Sequence, residues 1–364
     1  MRELRQQAGQ LLILGFDGTE ATPGLRSLLT ELQPGGVILF ARNIIEPRQT
    51  WELLRGCRRA VPVPLFRCVD LEGGMVDRLK AVIAPAPAAA VVAVSGNPKM
   101  FRRHGRLIGD EARALGFNTD FAPVFDLGFP ASRSVLGTRT ASDDPKRATL
   151  YAREFLRGLK DARVLGCGKH FPGLGEAALD SHNELPAVEK PWKRLWAEDL
   201  YPYRALKREI AFVMVAHAAY PAVTRDHTPA SISRKWITDI LRKKIGYRGL
   251  IVSDDMEMGG VLAAASIEQA AVECVRAGAD LFLVCHKEEL VRRAYEAVLR
   301  EAERDSRFAR RVREAARRVL AFKKRTREMR APSTAPSKRV VEQLRSKMLR
   351  FTDELQWPQG QEPE

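Results

Sequence analysis

Eight short apolar runs recur along this chain: residues 11–14, 37–40, 65–69, 119–123, 163–168, 212–216, 250–253 and 281–284. Each is followed by a polar or Gly-rich stretch, and helical patterns such as 98–115, 145–160 and 267–278 lie between them. Brief runs rich in β-branched residues read as buried strands when longer helical patterns separate them. Strict alternation of the two implies a parallel sheet, since a parallel neighbour is reached only through a crossover. Eight units predict a (β/α)8 TIM barrel, whose usual length is about 250 residues. A doubly wound open sheet is the alternative. No GxGxxG follows the first run, which argues against its dinucleotide-binding form.

The remaining residues extend this plan. Residues 288–330 read as helix that completes the barrel, and 331–337 (Ala-Pro-Ser-Thr-Ala-Pro-Ser) as a linker. Val340, Val341, Leu344, Met348, Phe351 and Leu355 then recur at helical spacing. The expected division is a catalytic domain over 1–331 and a linker with an amphipathic helical tail over 332–364. That tail either docks on its own barrel or makes a dimer contact.

Charge and cysteine usage bound the function classes. The formal net charge of +15 suits an anionic partner. However, Lys and Arg are spread along the chain and interleaved with Glu and Asp where they thicken, as on a solvated helix face. No specific nucleic-acid partner and no membrane partner is expected. The five Cys include no CxxC pair, and four lie in apolar runs, which fits free thiols in a reducing compartment. The charged N-terminus and short first apolar run do not make a signal peptide, so a cytoplasmic location is expected.

In a barrel of this kind, chemistry sits at the C-terminal ends of the strands. Polar residues here track those ends. Asp70 closes the third run, with Glu72, Gly73, Gly74 and Arg78 after it. Asp126 and Arg139 follow the fourth, Lys169 and His170 close the fifth, His217 the sixth, and Asp254 and Asp255 the seventh. Asp254, at the end of an apolar run, is either a rigidly held nucleophile or a helix N-cap. Asp180 and His182 form a D-x-H pair in which the carboxylate can fix the His tautomer for proton transfer. Gly173 and Gly175 would let the loop 172–181 carry His182 over a site. A zinc site from His170, His182, His217 and Asp254 lacks the usual HxH or HExxH spacing. A Cys167 nucleophile is opposed by its apolar surroundings.

Longer motifs narrow the choice. They are Gly35-Gly36-Val37-Ile38-Leu39-Phe40-Ala41-Arg42-Asn43, Val69-Asp70-Leu71-Glu72-Gly73-Gly74, Asn118-Thr119-Asp120-Phe121-Ala122-Pro123-Val124, the segment 169–182, and Val252-Ser253-Asp254-Asp255-Met256-Glu257-Met258. In these the chain resembles the single-domain bacterial β-N-acetylglucosaminidases of glycoside hydrolase family 3, the NagZ type. The resemblance implies a retaining glycosidase that removes terminal N-acetylglucosamine from muropeptides or related glycans in peptidoglycan recycling. It places Asp254 at the nucleophile, His182 with Asp180 at the acid/base, and Asp70, Arg78, Arg139, Lys169 and His170 at sugar-binding positions. Most retaining enzymes use two carboxylates; this family resembles an exception. No cofactor and no metal is implied. Larger family members acting on glucosides carry a second domain, for which the tail is too short. A phosphorylase using phosphate in place of water is an alternative, as is a homologue reduced to glycan binding. The family pattern has Gly-His-Gly-Asp where this chain has Gly173-Leu174-Gly175-Glu176, and Arg where it has Met75.

Overall fold

The computed structural model describes residues 2–177, 184–330 and 334–356. Eight parallel strands form its centre. They are β1 (Leu12–Leu14), β2 (Gly36–Ile38), β3 (Phe66–Val69), β6 (Thr119–Asp120), β7 (Cys167–Phe171), β8 (Phe212–Val215), β9 (Leu250–Asp255) and β10 (Leu281–Val284). A small antiparallel hairpin, β4 (Leu71–Gly73) and β5 (Val76–Asp77), follows β3. Pairing runs β6-β3-β2-β1-β10-β9-β8-β7. The circle closes between β6 and β7 through the parallel bridges Thr119↔Leu165 and Val124↔Lys169. Asp120 N donates to Leu165 O at 2.8 Å, and Cys167 N to Ala122 O at 2.8 Å. A closed barrel leaves no strand edge without a partner.

Alternation along the strands sorts the core into two parts. Ile13, Ile38, Phe66, Cys68, Cys167, Phe212, Met214, Val252, Leu281 and Leu283 fill the barrel interior. Leu12, Leu14, Val37, Val69, Val213, Val215 and Ile251 face the surrounding helices. Phe322 closes the bottom, 5.8 Å from the Phe212 ring and 6.1 Å from Phe66. The helices Pro23–Leu32, Pro47–Arg59, Pro98–Ala114 and Pro145–Asp161 all open on proline, whose fixed φ and missing N–H cost nothing in a first turn.

Three elements differ from their sequence reading. The fourth strand spans only two residues, Thr119–Asp120, and continues as single contacts to its neighbours. The fifth begins at Cys167 and includes Lys169, His170 and Phe171, so its polar end lies inside the sheet rather than beyond it. Residues 288–330 form two helices, Glu288–Arg304 and Ser306–Arg325. Asp305 separates them, and its carboxylate caps the second by accepting from Arg307 N at 2.8 Å.

The helix Lys338–Gln356 lies on Pro98–Ala114. Leu344, Met348 and Phe351 are buried against the chain itself. Phe351 stacks on His104 at 5.8 Å, Arg103 pairs with Glu354, and Arg345 Nε donates to Ile83 O at 2.8 Å. The middle of its apolar stripe is thus covered within one chain, while Val340 at its start is exposed. No helix among the described residues is long and apolar enough to cross a membrane.

Candidate active site

The strand ends surround a cleft of about 160 Å³. Two interruptions in strand register bring its chemistry together. Between β7 and β8 the partners step from Gly168↔Val213 to Phe171↔Val215, so three residues on β7 oppose two on β8. A bulge re-aims side chains that regular alternation would send to opposite faces. Lys169 and His170, though adjacent, both line the cleft. Between β9 and β10 the partners step from Leu281↔Val252 to Leu283↔Asp255. Here the Ser253 hydroxyl replaces the missing ladder bond, accepting from Leu283 N at 3.1 Å and donating to Asp254 O at 2.6 Å. Asp254 and Asp255 consequently both reach the cleft.

Glu72 is the centre of the charged wall. It accepts Arg139 Nε at 2.7 Å and Nη2 at 2.9 Å, and Lys169 Nζ lies 2.6 Å away. Lys169 also donates to Asp70 at 2.8 Å. Burial alone would raise the Glu72 carboxyl, but Arg139 and Lys169 hold it far below the ordinary range. Burial likewise pulls Lys169 down, and Asp70 and Glu72 more than reverse it. Both groups are therefore ionised across the working pH range.

Asp126 orients the opposite wall. It is buried and accepts His170 Nδ1–H at 2.7 Å, His170 N–H at 3.1 Å and Leu174 N–H at 2.8 Å. This fixes the His170 tautomer and leaves Nε2 for the cleft. Asp254 accepts from Asp255 N at 2.9 Å. Burial would raise its carboxyl. The His170 and His217 rings, that N–H and Lys169 outweigh burial and hold it below the ordinary carboxylate value. An ionised, rigidly placed carboxylate beside hydrogen-bonding cations suits attack on an electrophilic carbon. Asp254 is no helix cap; the next short helix, Gly259–Leu262, is preceded by Met258.

Asp70, Arg78, Arg139, Lys169, His170 and Asp254 all line this one cleft. Arg78 lies 5.7 Å from the Phe40 ring, and its Nε is buried without a hydrogen-bond partner among the described residues. Asp180 and His182 lie outside the described residues.

Other expectations need correction. His217 does not reach the cleft: it is buried, accepts Ser231 Oγ–H at 2.7 Å and donates to Asp255 O at 2.9 Å. Burial lowers its pKa, and it supports Asp255 from beneath rather than serving as a ligand. Cys167, by contrast, packs inside the barrel as its apolar surroundings imply, and burial pushes its thiol up. Gly173 and Gly175 are also required by close packing. A Cβ at Gly173 would come within 2.6 Å of Asp199, and one at Gly175 within 2.8 Å of Leu127 O. Tyr220 Oη–H donates to Gly173 O at 2.8 Å, and Glu176 bonds Arg194 at 2.8 Å. Residues 172–177 are thus tied to the barrel by Tyr220 and Arg194 in this conformation. Leu174 is buried and lines the cleft, whereas Met75 is exposed at the hairpin tip.

Two further groups had no assigned role in the sequence reading. Asp126 was legible only as a polar residue after the fourth run. His286 stacks on Phe40 at 5.2 Å and lies 3.3 Å from Asp255 at the cleft mouth. It lies two residues after the eighth run, which is the available signal.

A (β/α)8 barrel with an ionised carboxylate, a tautomer-fixed histidine and hydrogen-bonding cations in one cleft belongs to the class of barrel enzymes acting on polar substrates. Comparison with known proteins sharpens this. Residues 3–322 match the glycosyl hydrolase family 3 N-terminal domain. A β-hexosaminidase of Pseudomonas aeruginosa is 38% identical over 276 residues, covering 76% of this chain and 82% of that protein. A glycoside hydrolase family 3 β-N-acetylglucosaminidase from a Paenibacillus species superposes with a TM-score of 0.90 at 34% identity, covering 96% of this chain and 68% of that one. NagZ from Neisseria gonorrhoeae, in complex with N-trifluoroacetyl-D-glucosamine, gives a TM-score of 0.73 at 29% identity, covering 85% and 97%. The chain belongs to glycoside hydrolase family 3 and is a glycoside hydrolase.

Proposed function

We propose that this enzyme is a retaining β-N-acetylhexosaminidase that releases terminal N-acetylglucosamine, with muropeptides of peptidoglycan recycling as its substrates. The observation that carries the reading is Asp254, placed in the cleft by the β9 bulge and held ionised there. The β-hexosaminidase and β-N-acetylglucosaminidase relatives support the substrate class. Five buried free cysteines support a reducing, cytoplasmic setting.

In the first step an Asp254 oxygen bonds to the anomeric carbon as the glycosidic bond breaks. The leaving oxygen takes a proton from His182, whose tautomer Asp180 fixes. In the second, water attacks the same carbon, His182 takes its proton, and the bond to Asp254 breaks. Two inversions give net retention. Asp70, Arg78, Arg139, Lys169 and His170 hold the sugar, so that attack is effectively intramolecular.

The test is hydrolysis of 4-nitrophenyl β-N-acetylglucosaminide and of a natural disaccharide. Asp254→Ala should abolish turnover of both. His182→Ala should slow the disaccharide far more than the activated aryl glycoside, because only the poor leaving group needs protonation. Full activity in Asp254→Ala, or equal losses on both substrates in His182→Ala, would overturn the assignments.

A further inference from the structure

The opposite end of the barrel holds a second cavity of about 860 Å³. It sits at the entry of β7, β8 and β9, where Gly166, Ala211 and Gly249 form part of its lining. Leu165, Ile210 and Phe322 give it a buried apolar floor. Its walls carry six cations, Arg157, Lys160, Lys207, Arg208, Arg248 and Arg325, against two carboxylates, Glu209 and Glu328. Glu209 is already shared between Arg153 at 3.2 Å and Arg157 at 3.9 Å. Among the described residues, Lys160, Arg208 and Arg248 have no ion-pair partner.

Helix polarity accounts for part of this charge. Helices run antiparallel to the strands of such a barrel, so their C-termini gather at this end. The helices Pro145–Asp161, Tyr201–Leu206, Lys235–Ile245 and Ser306–Arg325 all finish near this cavity. Each C-terminus carries about half a negative charge, so four ends offset roughly two of the four excess positive charges. The rest stand in a concave, apolar-floored site, which concentrates the field they produce. Guanidinium groups match phosphate oxygens in a bidentate fork.

We propose that this cavity is a second ligand site, distinct from the hydrolytic cleft, that takes a phosphate-bearing dianion held by Lys160, Arg208 and Arg248. The ligand is either a small soluble phosphorylated molecule or the phosphate of a lipid headgroup. Two arms of one experiment separate these sources. Isothermal titration of the full chain with inorganic pyrophosphate at low ionic strength tests the soluble form, and co-sedimentation with phosphatidic acid vesicles tests the headgroup. At least one arm should saturate. In that arm Arg208→Ala/Arg248→Ala should bind at least tenfold more weakly, as loss of two charge-assisted contacts requires. The double variant should retain its hydrolytic rate, showing that it is folded. Absence of saturation in both arms, or binding by the double variant equal to that of the parent, would overturn the proposal.

Discussion

Replacing Glu72 by Gln tests whether the charged wall holds the site together. The carboxylate is buried and takes part in three short contacts, two with Arg139 and one with Lys169. Gln can still offer one oxygen to Lys169, but its amide NH2 then faces the Arg139 guanidinium, donor against donor. Removing one member of a buried ion pair typically costs about 3–5 kcal/mol. Lys169 retains Asp70 at 2.8 Å, which places the expected loss near the lower end, about 3 kcal/mol. Urea unfolding with an unchanged m-value measures it.

The pH dependence of that loss is a second, independent readout. The folded-state pKa of Glu72 is depressed, so its contribution is complete above the unfolded value of about 4.3. It shrinks as pH falls from there toward the folded value. The gap between parent and Glu72→Gln should therefore narrow by about 1 kcal/mol between pH 6 and pH 3.5. A loss below about 1 kcal/mol at pH 6, against the 3–5 kcal/mol of a broken buried pair, would refute the reasoning. So would a gap that does not change with pH. Adding Arg139→Met to Glu72→Gln should recover part of the loss, since it removes the facing donor.

Three further outcomes follow from other elements. Asp126→Asn should lower kcat/KM by about 10–100-fold, the usual effect of losing the group that orients an active-site histidine, and a change under threefold would count against that role. Lys323 is buried at the barrel floor, donates to Gln10 Oε1 at 2.9 Å, and is lowered by burial to about 7. The unfolded chain binds more protons between that value and the ordinary lysine value, so stability should rise with pH across that window; in Lys323→Met this rise should be absent. Phe351→Ala should destabilise the protein by about 3–5 kcal/mol if the C-terminal helix is part of the core, and by less than 1 if it is an appendage.

The barrel was legible because its evidence is redundant: eight separate runs repeat one pattern, and errors at single boundaries do not change their number. The helices 98–115, 145–160 and 267–278 were found within a residue or so, because proline, Asn97, Asp144 and Ser266 mark their starts. What was lost is the interior of the strand ends. Lys169 and His170 read as residues beyond a strand, since apolar pattern is the only strand signal in a sequence. They lie within it because Asp70, Glu72 and Asp126 satisfy them, and those partners are 44 to 99 residues away in the chain. Gly173 and Gly175 carry a second requirement that the sequence does not show. A glycine required by a close neighbour is indistinguishable in sequence from one required for motion, and here Asp199 and Leu127 are the neighbours.

The two barrel ends also explain why net charge predicted so little about the site. The chain carries a formal +15, yet four carboxylates and three cations line the cleft. These groups neutralise one another through Glu72, Lys169 and Arg139, so the cleft has little net charge with which to steer an ionic ligand. That suits an uncharged sugar ring, which is recognised by directional hydrogen bonds to its hydroxyls rather than by long-range attraction. Four of the excess positive charges line the cavity at the opposite edge of the sheet, where helix C-termini gather. The same topology thus separates two kinds of electrostatics. Buried, mutually paired charges at the strand ends fix geometry for chemistry, and at the strand starts Lys160, Arg208 and Arg248, without an ion-pair partner among the described residues, are the groups proposed to meet an anion.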